Sequence, residues 1–191
     1  SMLSSIHPLG ERARSNRWSV TVTAFAVGSM TAGAVLGTVS ALVGSSFPSA
    51  PSPVWIAAVV AAAGLADLAG VPVPWLHRQV NERWIGSFRG WVYGLAFGAQ
   101  LGSGFSTYVV TWAVPAMVVA LALIGDPVVG MVAGVLFGAG RSLPLLAAGW
   151  IDRPSRLGRF HQAMAALATP ARLTAAVALM AGGTVIGLAA S

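Results

Sequence analysis

The stretch GWVYGLAFGAQLGSGFSTYVVTWAVPAMVVALALIG, residues 90 to 125, runs for 36 residues without a charged side chain. As one helix it would reach ~54 Å at ~1.5 Å per residue, against ~30 Å of hydrocarbon in a bilayer. One straight span is excluded. The stretch must hold one crossing plus a broken or re-entrant piece, or two short helices. Irregular backbone at membrane depth is tolerated only where it is buried in protein or lines a cavity.

Working outward, Trp18 to Gly44 is 27 residues without a charge, flanked by a basic arm, residues 1–17, that carries Arg12, Arg14 and Arg17. That run is too long for the apolar core of a cleaved signal peptide and reads as a retained transmembrane helix. Further apolar blocks lie at 53–72, ending at Pro72 and Pro74, at 128–150, interrupted by Arg141, and at 173–190. Over all 191 residues, 56% are hydrophobic and 8% charged, with mean hydropathy +0.78. Soluble domains approach a quarter charged. The reading is an all-α polytopic integral membrane bundle, a single transmembrane domain over 18–191.

The net charge of +6 comes from arginines placed between the apolar blocks, which argues against a nucleic-acid surface. With no cysteine there is neither a disulfide framework nor a thiolate metal site. No motif pairing a nucleophile with a base is present, so no enzyme, metal or cofactor is expected. The basic segments are the arm, 73–89 and 152–172; held on the cytoplasmic side together, they require an even number of crossings between 90 and 150. Five net crossings follow, with the N-terminus inside a bacterial-type inner membrane and the C-terminus outside. Arg153 to Thr169 reads as a surface helix that turns its arginines toward anionic headgroups.

Glycine recurs every fourth residue at Gly90, Gly94, Gly98 and Gly102, and again at Gly130, Gly134 and Gly138. Each set forms one bare stripe that permits close helix packing, and AGAVLG at 32–37 is a weaker third case. GWVYGLAFGA (90–99) matches GMVAGVLFGA (130–139) at six of ten positions. Under five crossings the two copies run in opposite directions, as inverted repeats do in secondary transporters. Ordinary membrane packing explains the spacing equally well, and it makes a second copy of the chain a candidate partner beside lipid.

Arg141 is the most informative polar residue, because a cation at helix centre costs ~2.5 to 3.5 kcal/mol on insertion scales and usually faces a cavity or partner. With Ser142 and a helix break at Pro144 it predicts an anion or carboxylate pocket; alternatively it snorkels to the interface. Asp67 is the one acid inside an apolar block and the candidate gating partner of Arg141. Gln100, Ser103, Ser106, Thr107 and Thr111 draw a polar streak through the long run, offering hydroxyls to a small solute or ion, or simply bonding their own helices. Phe105, Tyr108 and Trp112 share one helical face, which serves either a cation or an interfacial belt. The other tryptophans fit the belt.

GLAFGAQLGSGFST followed by GVLFGAGRSLPLLAAG resembles the membrane domain of the cytochrome c biogenesis thiol-disulfide electron carriers and the small exporters grouped with them. The resemblance implies a Gly-rich inverted-repeat core of broken helices. Those carriers need a cysteine in each broken helix, and none stands here. On a shared scaffold electron transfer is excluded. The expectation is a small transporter or exporter of a solute or ion, and the alternative is a non-transporting scaffold or assembly subunit.

Overall fold

A computed structural model describes residues 6–47, 52–73, 87–104, 111–151 and 153–189, and these are helical with no strand among them. The helices are α1 (Pro8–Ala13), α2 (Trp18–Ser45), α3 (Pro53–Leu68), α4 (Gly90–Gly102), α5 (Ala113–Ile124), α6 (Pro127–Ala147) and α7 (Pro154–Ala189), with a 3-10 turn at Ala148–Trp150. Among the described residues, three segments are long and apolar enough to cross a membrane: Trp18–Ser45, Pro127–Ala147 and Arg156–Leu188. Large apolar side chains such as Val27, Val35, Val39, Leu136, Val177 and Val185 stand exposed on them, an arrangement that suits lipid and not water.

The boundaries have local causes. Pro8, Pro53 and Pro127 open α1, α3 and α6, each behind a capping side chain: His7 Nδ1, Ser52 Oγ and Asp126, whose carboxylate accepts from Val128 N at 2.8 Å. Left-handed Gly70, Gly104 and Gly125 follow the ends of α3, α4 and α5, a conformation costly for any side chain with a Cβ. Gly70 therefore stops the helix expected over 53–72 at Leu68, before the prolines act.

Two expected breaks are absent. α6 continues through Pro144 to Ala147, and α7 continues through Pro170, so the surface helix over 153–169 and the span over 173–190 are one helix of 36 residues. An interior proline removes one backbone hydrogen bond and bends a helix without having to end it. Four residues on, the Thr174 hydroxyl donates to the Pro170 carbonyl at 2.7 Å.

Packing is organised around α2. On one flank Gly94, Gly98 and Gly102 of α4 lie on the carbonyl oxygens of Thr21, Phe25 and Ser29, so α4 runs parallel to α2. On the other, Gly130, Gly134 and Gly138 of α6 lie on those of Gly37, Gly33 and Ser29, so α6 runs antiparallel. A Cβ at Gly94 would stand 2.5 Å from the Thr21 oxygen, and most of the others would stand closer. α5 continues the direction of α4, from Val114 beside Gly104 and Leu36 to Ala122 against Gly44. α3 runs antiparallel to α5, and α7 antiparallel to α3 through Gly64 on Ala176 and Gly183 on Ala57. Direction thus alternates through α2, α3, the α4–α5 pair, α6 and α7.

Gly33→Val and Gly134→Val should each reduce folded yield and lower the melting temperature, since the added atoms meet backbone that cannot yield; overpacking costs ~1 to 3 kcal/mol or more. Gly158→Ala and Gly182→Ala, where a Cβ meets nothing within 4 Å, should fold as well as the parent or better. Detergent gel filtration and thermal melting of the four variants check this.

Candidate functional site

α2 serves as a ruler for depth. Gly102, at the end of α4, lies on Ser29, and Gly104 with Val114 lies beside Leu36, so the end of α4 and the start of α5 face the middle of the 28-residue α2. α3 stops at the same level. Its Asp67, 3% exposed, accepts the Thr111 hydroxyl at 2.5 Å and the Trp112 amide at 2.8 Å, while Trp112 Nε1 donates to Val71 O at 2.9 Å. Thr111 Oγ1 in turn accepts from Ala113 N at 3.1 Å. Helix starts carry unpaired amides and a partial positive charge, which at depth must be met by protein. Asp67 therefore caps α5 from a neighbouring helix.

On the opposite side stands Arg141. Its guanidinium lies over the Phe137 ring at 5.3 Å from the centroid, and Phe137 packs with Trp112 against buried Val73 and Val114. Its Nη1 is buried and makes no hydrogen bond to the described residues. By register with Gly138 on Ser29, Arg141 lies about one turn toward the Trp18 end from the break. An apolar groove of about 380 Å³ opens between α3 and α5 above Asp67, lined by Val59, Ala63, Ala66, Pro115, Ala116 and Val119 among others.

The polar residues expected at the site divide into groups. Thr111 is there, bonded to Asp67. Ser142 is buried but its hydroxyl donates to Gly138 O at 3.0 Å on its own helix, and Ser103 donates likewise to Gln100 O at 2.8 Å. Both satisfy nearby backbone, as short hydroxyl side chains in helices do. Gln100 is half-buried. Ser106, Thr107 and Tyr108, with Phe105, lie outside the described residues. The expected gating pair is not formed: Asp67 is taken up by Thr111 and Trp112, and Arg141 rests on Phe137. The seven glycines of the two stripes are all buried, on α2.

One polar centre has no counterpart in the sequence reading. The arm is not merely a basic flank: Ile6 enters a core with Val22, Phe25, Tyr93, Phe97 and Leu145, and α1 closes that end of the bundle. Glu11, wholly buried, accepts from Thr21 Oγ1 at 2.8 Å, from Arg14 at 2.8 Å and from the Tyr93 hydroxyl. Pro8 behind a capping His7 signals a helix start, but nothing local distinguishes a buried glutamate from a solvated one beside three arginines.

If Asp67 and Arg141 act separately, Asp67→Ala should cost ~1 to 3 kcal/mol of stability through the stranded Thr111 and Trp112 donors, and Asp67→Asn less. A double-mutant cycle of Asp67→Asn with Arg141→Gln should show coupling below ~0.5 kcal/mol. Melting of the four proteins measures it; a coupling above ~1 kcal/mol would restore the ion pair.

Comparison with known protein families, with curated proteins and with solved structures returns no match for this chain.

Proposed function

We propose that this chain is a small integral membrane transporter or exporter, moving a small solute or ion through the mid-depth interruption between α4 and α5. The observation that carries this reading is a convergence. α3 ends, α4 ends and α5 begins at one level around the buried Asp67 carboxylate, with Arg141 of α6 about one turn away. Helices interrupted near the midplane, with polar groups at the interruption, are how secondary transporters build their sites.

Five crossings with the N-terminus inside fit the same geometry. The alternation of direction is compatible with five passes, the central one made of α4 and α5, at ~20 and ~18 Å beside ~42 Å of α2. Arg12, Arg14 and Arg17 lie at the Trp18 end. Arg89 lies there too, because Gly90 adjoins Asn16 and Thr21, and Arg153 follows closely on Gly149, which packs on the Trp18 ring. The described residues at the other end, around Ser45 and Gly125, carry no arginine. That asymmetry is the one that retains segments in the cytoplasm. The oppositely directed, sequence-matched α4 and α6 support an inverted repeat.

The scaffold reading is favoured by the hydroxyls of Ser103 and Ser142, which serve their own helices and leave nothing for a solute. Cysteine labelling separates the two, and with no native cysteine there is no background. Single cysteines at Ala13, Ser87 and Arg153 should react with an impermeant maleimide only from the cytoplasmic side. Those at Ser46, Val128 and Leu188 should react only from the outside. Cysteines at Gln100 and Ser103 should react with a small hydrophilic thiosulfonate reaching them through water. Unreactive 100 and 103 positions in a folded protein would favour the scaffold, and end positions labelling in any other pattern would overturn five crossings.

A further inference from the structure

The chain holds five acidic residues against eleven arginines, so the charge partner of each buried group can be traced. Glu11 is taken by Arg14, Tyr93 and Thr21. Asp67 is taken by Thr111 and Trp112. Asp126 caps the first turn of α6, fifteen residues from Arg141 along that helix and so ~22 Å away. Glu82 and Asp152 lie outside the described residues. Every acid among the described residues is thus committed elsewhere, while Arg141 keeps a buried Nη1 that no hydrogen bond satisfies. A charged N–H group buried without an acceptor is costly unless something pairs with it.

Geometry narrows the partner. The guanidinium carbon lies 5.3 Å from the Phe137 ring centroid, a contact that offers the buried Nη1 no hydrogen-bond acceptor. Carboxylate, sulfate and phosphate oxygens bind arginine in the guanidinium plane, two oxygens across two parallel N–H groups. A cation would be repelled there, and a neutral solute would leave the charge uncompensated.

We propose that Arg141 receives an oxyanion, the carboxylate, sulfate or phosphate group of a ligand. This rests on the transporter reading for its claim that the anion is cargo, and on the unsatisfied guanidinium alone for its claim that an anion binds. A lipid phosphate offers the same chemistry as a free anion. With Phe137 beside the guanidinium, itself packed on Val73 and Val114, the site suits an anion with an apolar body better than a heavily hydrated one.

The test is thermal melting of the full chain in detergent with sodium phosphate, sulfate or acetate, against sodium chloride at equal ionic strength. Parallel samples receive phosphatidylglycerol in phosphatidylcholine mixed micelles. A ligand bound by the folded state alone raises the midpoint saturably, here by ~5 °C or more well above half-saturation. The expected result is such a rise with at least one oxyanion, lost in Arg141→Gln and weakened about tenfold in affinity in Arg141→Lys, which keeps the charge without the fork. Arg141→Lys also serves should Arg141→Gln fail to fold. A rise with phosphatidylglycerol alone supports the oxyanion site and assigns it to a headgroup. An equal rise in Arg141→Gln, or no rise with any probe, overturns it. So does loss of stability in Glu82→Gln or Asp152→Asn that Arg141→Gln cancels, since the counterion is then internal. Flux of the stabilising anion into proteoliposomes separates the two ideas: binding without flux overturns transport and leaves the site standing. Flux of a solute with no dependence on Arg141 leaves transport standing and overturns the site.

Discussion

The backbone carbonyls of α2, from Thr21 to Gly37, lie directly against glycine Cα atoms of α4 on one flank and α6 on the other. No side chain intervenes. Between helices in lipid there is little hydrophobic drive, so association rests on close van der Waals contact and weak Cα–H···O contacts, both of which need bare backbone. Ser29 joins the two flanks: its carbonyl meets both Gly102 and Gly138, and its hydroxyl donates to Gly138 O at 2.9 Å. Because both neighbours are registered on α2, its length fixes where the α4–α5 interruption falls.

An interrupted helix inside a bundle leaves a carbonyl end and an amide end without water to satisfy them. On the amide side Asp67 resolves this by reaching across from α3, and Trp112 returns a bond to Val71, tying the α3 exit to the α5 entry. The carboxylate is also placed at the positive end of α5, where a negative charge is stabilised. α3 thereby has a structural reason to stop at mid-depth: running on past Gly70 as a helix would carry its following chain away from Trp112.

Much of this architecture was legible in the residues. The uncharged run over 90–125 is too long for one helix whatever the neighbours do, and i,i+4 glycines mark a packing face from spacing alone. What escaped depended on long-range contact or on competition between local signals. Pro72 was the visible stop for α3, yet Gly70 takes effect first. Pro144 and Pro170 look like breaks, yet the helices hold through them. Asp67 and Arg141 invited pairing as the two charges inside apolar blocks, but the nearest donors to Asp67 are a hydroxyl and an amide, which sequence cannot bring together across 44 residues. Glu11 was hidden by its basic neighbours.

Glu11, Asp67 and Arg141 differ in how completely they are satisfied, and that difference bears on the proposal that Arg141 binds an anion. Glu11 has three donors on two oxygens, one of them a counter-charge. Asp67 has two donors at short distance. Both are finished arrangements; removing a partner would leave an uncompensated carboxylate, so their role is to hold α1 and α5 in place. Arg141 has the Phe137 ring beside it and a buried Nη1 without a hydrogen-bond partner. Cation–π contact offsets only a part of what a guanidinium loses on leaving water. A packing role would be served as well by leucine at that position without the desolvation cost, so the incompleteness itself argues that Arg141 is there for something that arrives.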